Sequence, residues 1–356
     1  MVEIRKLPLS DGWILVPRDR TLRPHDFRLP AAERLPTPCP FCAGREFETP
    51  SPLAVYPDEA SEPWRVRVVP NKFPAVEQLS NFSHNTPASR PPLDECALDA
   101  NPHPALSASL NERNWVAQFA HSSGRGVHEV VIESPRHATR FRDLTVAEAS
   151  DTVRAYRDRL RAHRCDTRLA YSLAFRNSGI TGGASLEHAH SQIIATEWIP
   201  ANLLTELRYS RTHHQRVGKC LFCEMLAEEL CDGRRLVAQT DSFVAWCPFA
   251  SRFAYEVWIA PRRHHGEFDG SSDEQLADFT EILRDVVGRV ERLPGSPGYN
   301  FWIHTSPFAL REPAFYHWHV ELIPRVSYQA AFEWGCGDFI NAVPPEDAAR
   351  VLREVA

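Results

Sequence analysis

The chain lacks any apolar run long enough to cross a bilayer, and its first residues, Met1-Val2-Glu3-Ile4-Arg5-Lys6, lack the apolar core of a secretory leader. These two absences lead to the expectation of a cytoplasmic protein with no membrane attachment. A basic block is missing too. With 40 Lys and Arg against 46 Asp and Glu the formal charge is -6, and no cluster appears that can neutralise many phosphates, so nucleic-acid binding is not expected. Nor is there an even complement of cysteines: the chain has nine. Four of them form two Cys-x-x-Cys pairs, which in a reducing compartment point to metal rather than to disulfides. Small phosphorylated ligands remain open.

The chain says nearly the same thing twice. Its 356 residues, 43% hydrophobic, are enough for two domains with cores of their own. The first half carries Cys39-Pro40-Phe41-Cys42, Glu129-Val130-Val131-Ile132 with Pro135 and His137, a helical stretch, Tyr171 to Phe175, and His188-Ala189-His190. The second carries Cys220-Leu221-Phe222-Cys223, Glu256-Val257-Trp258-Ile259 with Pro261 and His264, a helical stretch, Tyr299 to Ile303, and His317-Trp318-His319. His137 and His264, Tyr171 and Tyr299, and His188 and His317 stand 127, 128 and 129 residues apart, whereas the Cys pairs stand 181 apart. An insertion of roughly fifty residues in the first half follows, and the Pro-, Ser-, Asn- and Ala-rich segment at about 78–114, where no apolar period survives, reads as a long loop.

Each half reads as an α+β unit with strands before and after one packed helix. From Thr145, Val146, Ala149, Val153, Tyr156 and Leu160 recur at helical spacing behind a Thr145/Glu148 capping box. The counterpart is expected to start at Ser271 with Glu274 three residues on. The stretch Pro200 to Lys219 reads as helix plus linker, giving domains at 1–205 and 206–356. Strands are expected at Trp13–Val16, leading into Arg18, Arg20 and Arg23, and at Arg65–Pro70, ending at Asn71-Lys72-Phe73-Pro74-Ala75.

Two sets of side chains carry chemistry. Zinc binds thiolate and imidazole tetrahedrally, and a Cys-x-x-Cys turn supplies two ligands. The repeat nominates Cys39, Cys42, His137 and His188 for one ion, and Cys220, Cys223, His264 and His317 for another. His265 beside His264, and His319 beside His317, leave the ligand choice at the second open. The other set is the run Asn177 to Gln192. As a strand from His188 to Ile194, it shows His188, His190 and Gln192 on one face, behind Gly182 and Gly183, where backbone N–H groups can approach a phosphate. Taken alone, His-x-His also fits a polar strand with satisfied surface histidines, and the arginines fit a solvated edge.

The block Asn177 to Gln192, Cys39/Cys42 with Ser134-Pro135-Arg136-His137, Asn71-Lys72-Phe73-Pro74 and Arg23-Pro24 together resemble the galactose-1-phosphate uridylyltransferase branch of the histidine-triad superfamily, including its ADP-glucose phosphorylase-like members. The resemblance spans nearly the whole chain. It implies two tandem histidine-triad-like half-barrel domains, a homodimer, and ping-pong transfer of a nucleotide through a covalent nucleotidyl-histidine. By position in the motif, His190 resembles the nucleophile and His188 a zinc ligand. Ser185 and Gln192 resemble phosphate contacts, Asn71, Phe73 and Asn177 nucleotide or phosphate contacts, and Arg20 and Arg23 a phosphate clamp, with backbone near Gly183 assisting.

Hydrolases of the superfamily carry histidine where this chain has Gln192. Glutamine cannot protonate a leaving group, but its amide can hold phosphate oxygens. That suffices when the leaving group is a sugar phosphate with a second pKa near ~6. The expectation is therefore a nucleotidyltransferase acting on a nucleotide sugar and a hexose 1-phosphate, of the uridylyltransferase type of galactose metabolism. The alternatives are adenylyl transfer to phosphate, a nucleotide-sugar or dinucleotide hydrolase, and a zinc-stabilised nucleotide-binding module. The tail, Phe332-Glu333-Trp334-Gly335-Cys336-Gly337, resembles the ADP-glucose phosphorylase-like members more than the Gly-Tyr-Glu element of the uridylyltransferases.

Overall fold

A computed structural model describes residues 2–7, 13–17, 39–58, 62–79 and 124–355. Arg18, Arg20 and Arg23 lie outside them, as do residues 80–114 of the expected loop. Gln78, the first residue of that segment, closes a short strand instead.

The fold is α+β, dominated by one large sheet. Its strands are β3 (Ala54–Tyr56), β4 (Val66–Pro70), β5 (Glu77–Gln78), β6 (Arg125–Ile132), β7 (Tyr171–Ser178), β8 (His190–Thr196), β9 (Leu236–Gln239), β10 (Phe243–Trp246), β11 (Val257–Pro261), β12 (Tyr299–His304) and β13 (His319–Pro324). Along the path β3-β4-β6-β8-β7-β12-β13-β11-β10-β9 every pairing is antiparallel, and β5 adds to β6 in parallel. Counted inward from either outer edge, each half runs first, second, third, fifth, fourth in its own chain order, with β5 left aside. The repeat in the sequence is thus a repeat of topology. The two halves join where β7 pairs with β12, Asn177 opposite Asn300. A smaller sheet combines β1 (Val2–Lys6), β2 (Trp13–Pro17) and β14 (Phe339–Ile340).

Two long helices, α1 (Val146–Cys165) and α4 (Asp273–Glu291), lie against the sheet and each other. Between them in the chain, α2 (Ala201–Val217) runs across position 205 and is followed by α3 (Leu221–Asp232). Thr145 caps α1 as expected: its side chain accepts from Glu148 N, and Glu148 accepts from Thr145 N. The cap of α4 is Ser272 with Gln275, one residue later than expected from the sequence. Ser271 is buried in the preceding turn, where its carbonyl accepts from Arg157 and Arg161 and its hydroxyl meets no hydrogen-bond partner among the described residues. Tyr156 and Leu160 from α1 share one core with Phe279 and Val286 from α4 and with Phe301 from β12.

Strand β6 shows how the sheet sorts its two faces. Glu129 is wholly buried toward α1, where it accepts from Arg159 at 2.5 and 2.8 Å and pairs with His163 at 3.0 Å. Burial works to raise its pKa, but His163 and Arg159 prevail and hold it down at about 2. His128 and Val130, one residue to either side, therefore face the opposite way. Phe301, fully buried, meets Phe141 of the first half edge-on at 6.2 Å. Phe301→Ala is expected to lower the unfolding free energy by about 3–5 kcal/mol, measured by urea denaturation. A loss below about 1 kcal/mol would contradict a core shared across the junction.

Candidate active site and metal-ligand clusters

The Cys39 loop, the Ser134–His137 turn and the segment entering β8 meet where β6 ends and β8 begins, Ile132 opposite His190. Cys39, Cys42, His137 and His188 bring their donor atoms within 4.8 Å of one another. Cys39 Sγ is 3.5 Å and Cys42 Sγ 3.6 Å from His188 Nδ1, and Cys42 Sγ is 3.4 Å from His137 Nδ1. His188 Nε2–H donates to the Ser134 carbonyl at 2.9 Å, which leaves the Nδ1 lone pair facing the thiols. The turn supplying that carbonyl is itself held: Ser134 Oγ donates to Glu148 at 2.8 Å and Arg136 to the same carboxylate at 2.6 Å. The carboxylate capping α1 therefore also anchors the ligand loop.

The second half repeats this arrangement. Cys220, Cys223, His264 and His317 form a matching set. Cys223 Sγ is 3.4 Å from His264 Nδ1 and 3.3 Å from His317 Nδ1, while the two Nε2 atoms face the carbonyls of Pro313 and Pro261 at 3.2 and 3.0 Å. In each set one histidine is buried and one exposed. The neighbour His265 turns away, accepting from Trp318 Nε1 at 3.3 Å. Both sets have the soft donors of a thiolate–imidazole metal centre, with His188, His264 and His317 each oriented by a main-chain carbonyl.

His188 lies in a bend rather than in the strand, and β8 begins at His190, two residues later than expected. The three side chains consequently do not share one face. His188 turns to the thiols, while His190 and Gln192 face a cleft of about 670 Å³ whose walls include Asn71, Phe73, Ser185 and Phe41. His190 Nδ1–H donates to the His188 carbonyl at 2.7 Å, so the lone pair sits on Nε2. Burial pushes the ring down to about 4, which leaves it neutral near pH 7. Phe41 packs against both imidazoles, 5.9 Å from His188 and 5.5 Å from His190. Behind the strand, Arg176 is ion-paired with Glu133, and Tyr156 donates to Ser191 at 2.8 Å.

Of the other expected residues, Asn177 is tied to the second half. Its Oδ1 accepts from Asn300 Nδ2 at 2.8 Å, and the same Asn300 nitrogen reaches the Gly182 carbonyl at 2.7 Å. A Cβ on Gly182 would meet the Tyr299 carbonyl at 2.7 Å, so this close crossing requires glycine. Gly183 takes φ +81 with open space around it.

His128 was not legible as a site residue. It lies on β6 beside Gln192, and its Nε2 is 2.8 Å from Gln192 Oε1. Only the strand register, His128 opposite Ile194 and Val130 opposite Gln192, brings the two side chains together.

At the repeat position of His190, His319 is fully buried. Its Nδ1 faces the His317 carbonyl at 3.1 Å, and its Nε2 lies 3.7 Å from both Glu206 and Glu321. Glu321 stands where the first half has Gln192, and is ion-paired with Arg252.

The model of the galactose-1-phosphate uridyl transferase N-terminal domain matches residues 2–200. The chain is 30% identical over 359 residues to an ADP-glucose phosphorylase of Arabidopsis thaliana, covering 99% of this chain and 93% of that one. A galactose-1-phosphate uridylyltransferase of Thermotoga maritima is 29% identical over 364 residues, covering 99% and 98%. The crystal structure of an Arabidopsis thaliana ADP-glucose phosphorylase with bound ADP-glucose is similar at a TM-score of 0.78 and 28% identity, covering 100% of this chain and 99% of that one. Fold and relatives together define an enzyme of the nucleotidyltransferase kind. The chain belongs to the galactose-1-phosphate uridyl transferase family.

If both clusters hold metal, elemental analysis is expected to find about two equivalents per chain, falling to about one in Cys39→Ser and to about one in Cys223→Ser. Folded protein free of metal would contradict this reading of the clusters.

Proposed function

We propose that the chain moves a nucleoside monophosphate from a nucleotide sugar to an acceptor phosphate through a covalent nucleotidyl-histidine at His190. The observation that carries this reading is the 2.7 Å contact between His190 Nδ1 and the His188 carbonyl, at the floor of a cleft walled by Ser185 and Gln192. The Nε2 lone pair attacks the α-phosphorus, and the bond from that phosphorus to the bridging oxygen breaks. The hexose 1-phosphate leaves with the electron pair and needs no proton. An oxygen of the acceptor phosphate then attacks the same phosphorus, and the P–N electron pair returns to Nε2. Throughout, Nδ1–H stays on the His188 carbonyl, which stabilises the positive charge the ring carries while bonded. The Gln192 amide and the Ser185 hydroxyl hold non-bridging oxygens, Asn71 and Phe73 the nucleoside side. Arg20 and Arg23 clamp the phosphates, and Asn177 and backbone near Gly183 complete the cradle.

Zinc at Cys39, Cys42, His137 and His188, and at Cys220, Cys223, His264 and His317, would supply structural cross-links. The first would hold the His188 side chain, and with it the main-chain carbonyl that aims His190. The same reading takes 1–205 and 206–356 as two histidine-triad-like half-barrel domains and the chain as a homodimer in the cytoplasm. The uridylyltransferase reading gives UDP-glucose and a hexose 1-phosphate as substrates. The full-length likeness to an ADP-glucose phosphorylase favours ADP-glucose with phosphate as acceptor. A screen of nucleotide sugars against sugar phosphates and inorganic phosphate separates the two. Turnover independent of any acceptor would mark a hydrolase, which Gln192 opposes because an amide cannot protonate a leaving group.

Protein incubated with UDP-glucose or ADP-glucose labelled at the α-phosphorus is expected to retain acid-labile label, and His190→Ala to retain none. Gln192→Ala is expected to slow transfer by about 10²-fold. Label retained by His190→Ala would sink the assignment.

A further inference from the structure

We propose that His128 is a positioning residue that fixes which end of the Gln192 amide meets the substrate phosphate. The inference rests on the nucleotidyl-transfer reading. A glutamine amide has an oxygen end and an NH2 end of nearly the same shape, and only the NH2 end attracts a phosphate oxygen. Left unpinned, Gln192 would present its repelling end part of the time.

The backbone determines the orientation. Ala75 N–H donates to His128 Nδ1 at 3.0 Å, and a main-chain N–H can only donate. Nδ1 is therefore the acceptor, and the neutral ring carries its proton on Nε2. That Nε2–H is 2.8 Å from Gln192 Oε1, which must be the oxygen end. Asn71 completes the arrangement. Its Oδ1 accepts from Phe73 N at 2.8 Å, which turns Nδ2 inward to donate to the same Gln192 oxygen at 3.5 Å, while its 3.1 Å approach to His128 Nε2 sets two donors side by side and is no hydrogen bond. With Oε1 occupied, the Gln192 NH2 is left for the cleft it shares with His190.

The ring is held as firmly as the amide. His128 is 5% exposed, its carbonyl accepts from Asn71 N at 2.8 Å and from Gln78 Nε2 at 3.0 Å, and Glu129 beside it is locked to α1. The segment Asn71–Ala75, which carries the expected nucleoside contacts, is thus wired through one imidazole to the expected phosphate contact. A shift of that segment would release the amide.

Two measurements on the full-length protein test this. In ¹⁵N-labelled protein, the imidazole signals lost in His128→Gln are expected to report an Nε2–H tautomer. The side-chain amide signals lost in Gln192→Glu are expected to exchange with water at least about 10-fold faster in His128→Leu. In the transfer assay, His128→Leu is expected to lower kcat by about 10-fold or more with the donor KM changed less than about 2-fold. His128→Gln, which keeps a donor near the Nε2 position, is expected to recover most of that loss. In a Gln192→Ala background, His128→Leu is expected to change kcat by less than about 2-fold. An Nδ1–H tautomer, unchanged amide exchange in His128→Leu, or losses that multiply in the double variant would overturn the proposal. Should no donor and acceptor pair support transfer in the parent protein, the transfer reading fails, and the tautomer and exchange data alone judge the pinning of Gln192.

Discussion

One residue, His188, ties the ligand cluster to strand β8 and His190. Its ring is fixed between the Ser134 carbonyl and two thiols, and its own carbonyl accepts the Nδ1 proton of His190 at 2.7 Å. A side chain that can hold a metal and a main-chain oxygen that aims an imidazole are therefore parts of a single rigid unit. Rigidity matters because a nucleophile displaced by an ångström loses much of its advantage. Around this unit the fold supplies supports rather than chemistry. Glu148 caps α1 and grips the Ser134 turn, and Phe41 packs on both rings.

The second half keeps the skeleton and changes the side chains around its counterpart of His190. Phe222 packs on His317 and His319 at 5.2 and 4.6 Å, as Phe41 does on its pair. But His319 is sealed among Glu206, His304 and Glu321, and Trp258 takes the strand position that Val130 holds in the first half. Where Gln192 can offer an uncharged NH2 to an anion, Glu321 brings a negative charge, consumed by Arg252. In the proposed reaction the first copy is the one that takes the phosphorylated ligand. The other keeps its Cys/His set and extends the sheet, and the cavity of about 630 Å³ beside it is lined by Glu206, His304, Glu321 and Arg252.

Much of this was legible because the repeat fixes side chains by correspondence. Two Cys and two His at matched places in each half are improbable by chance, and the structure brings each set within reach of one ion. The helix from Val146 was readable from its capping box and its apolar period. Local pattern was less informative about where elements begin. Alternation suggested a strand from His188, but the pull of Ser134 and the thiols on that ring turns the chain before β8 starts. Ser271 and Ser272 are equally good caps on paper, and only the burial of the first decides between them. His128 was out of reach altogether, since its meaning depends on strand register and on a backbone N–H from a distant loop.

The central claim is that phosphorus is bonded in turn to His190 and then to the acceptor, two in-line displacements at one atom. The most direct measurement uses a nucleotide sugar made chiral at its α-phosphorus by sulfur substitution and follows the configuration of the product. Two displacements predict overall retention. Inversion would mean a single direct transfer and would contradict the account.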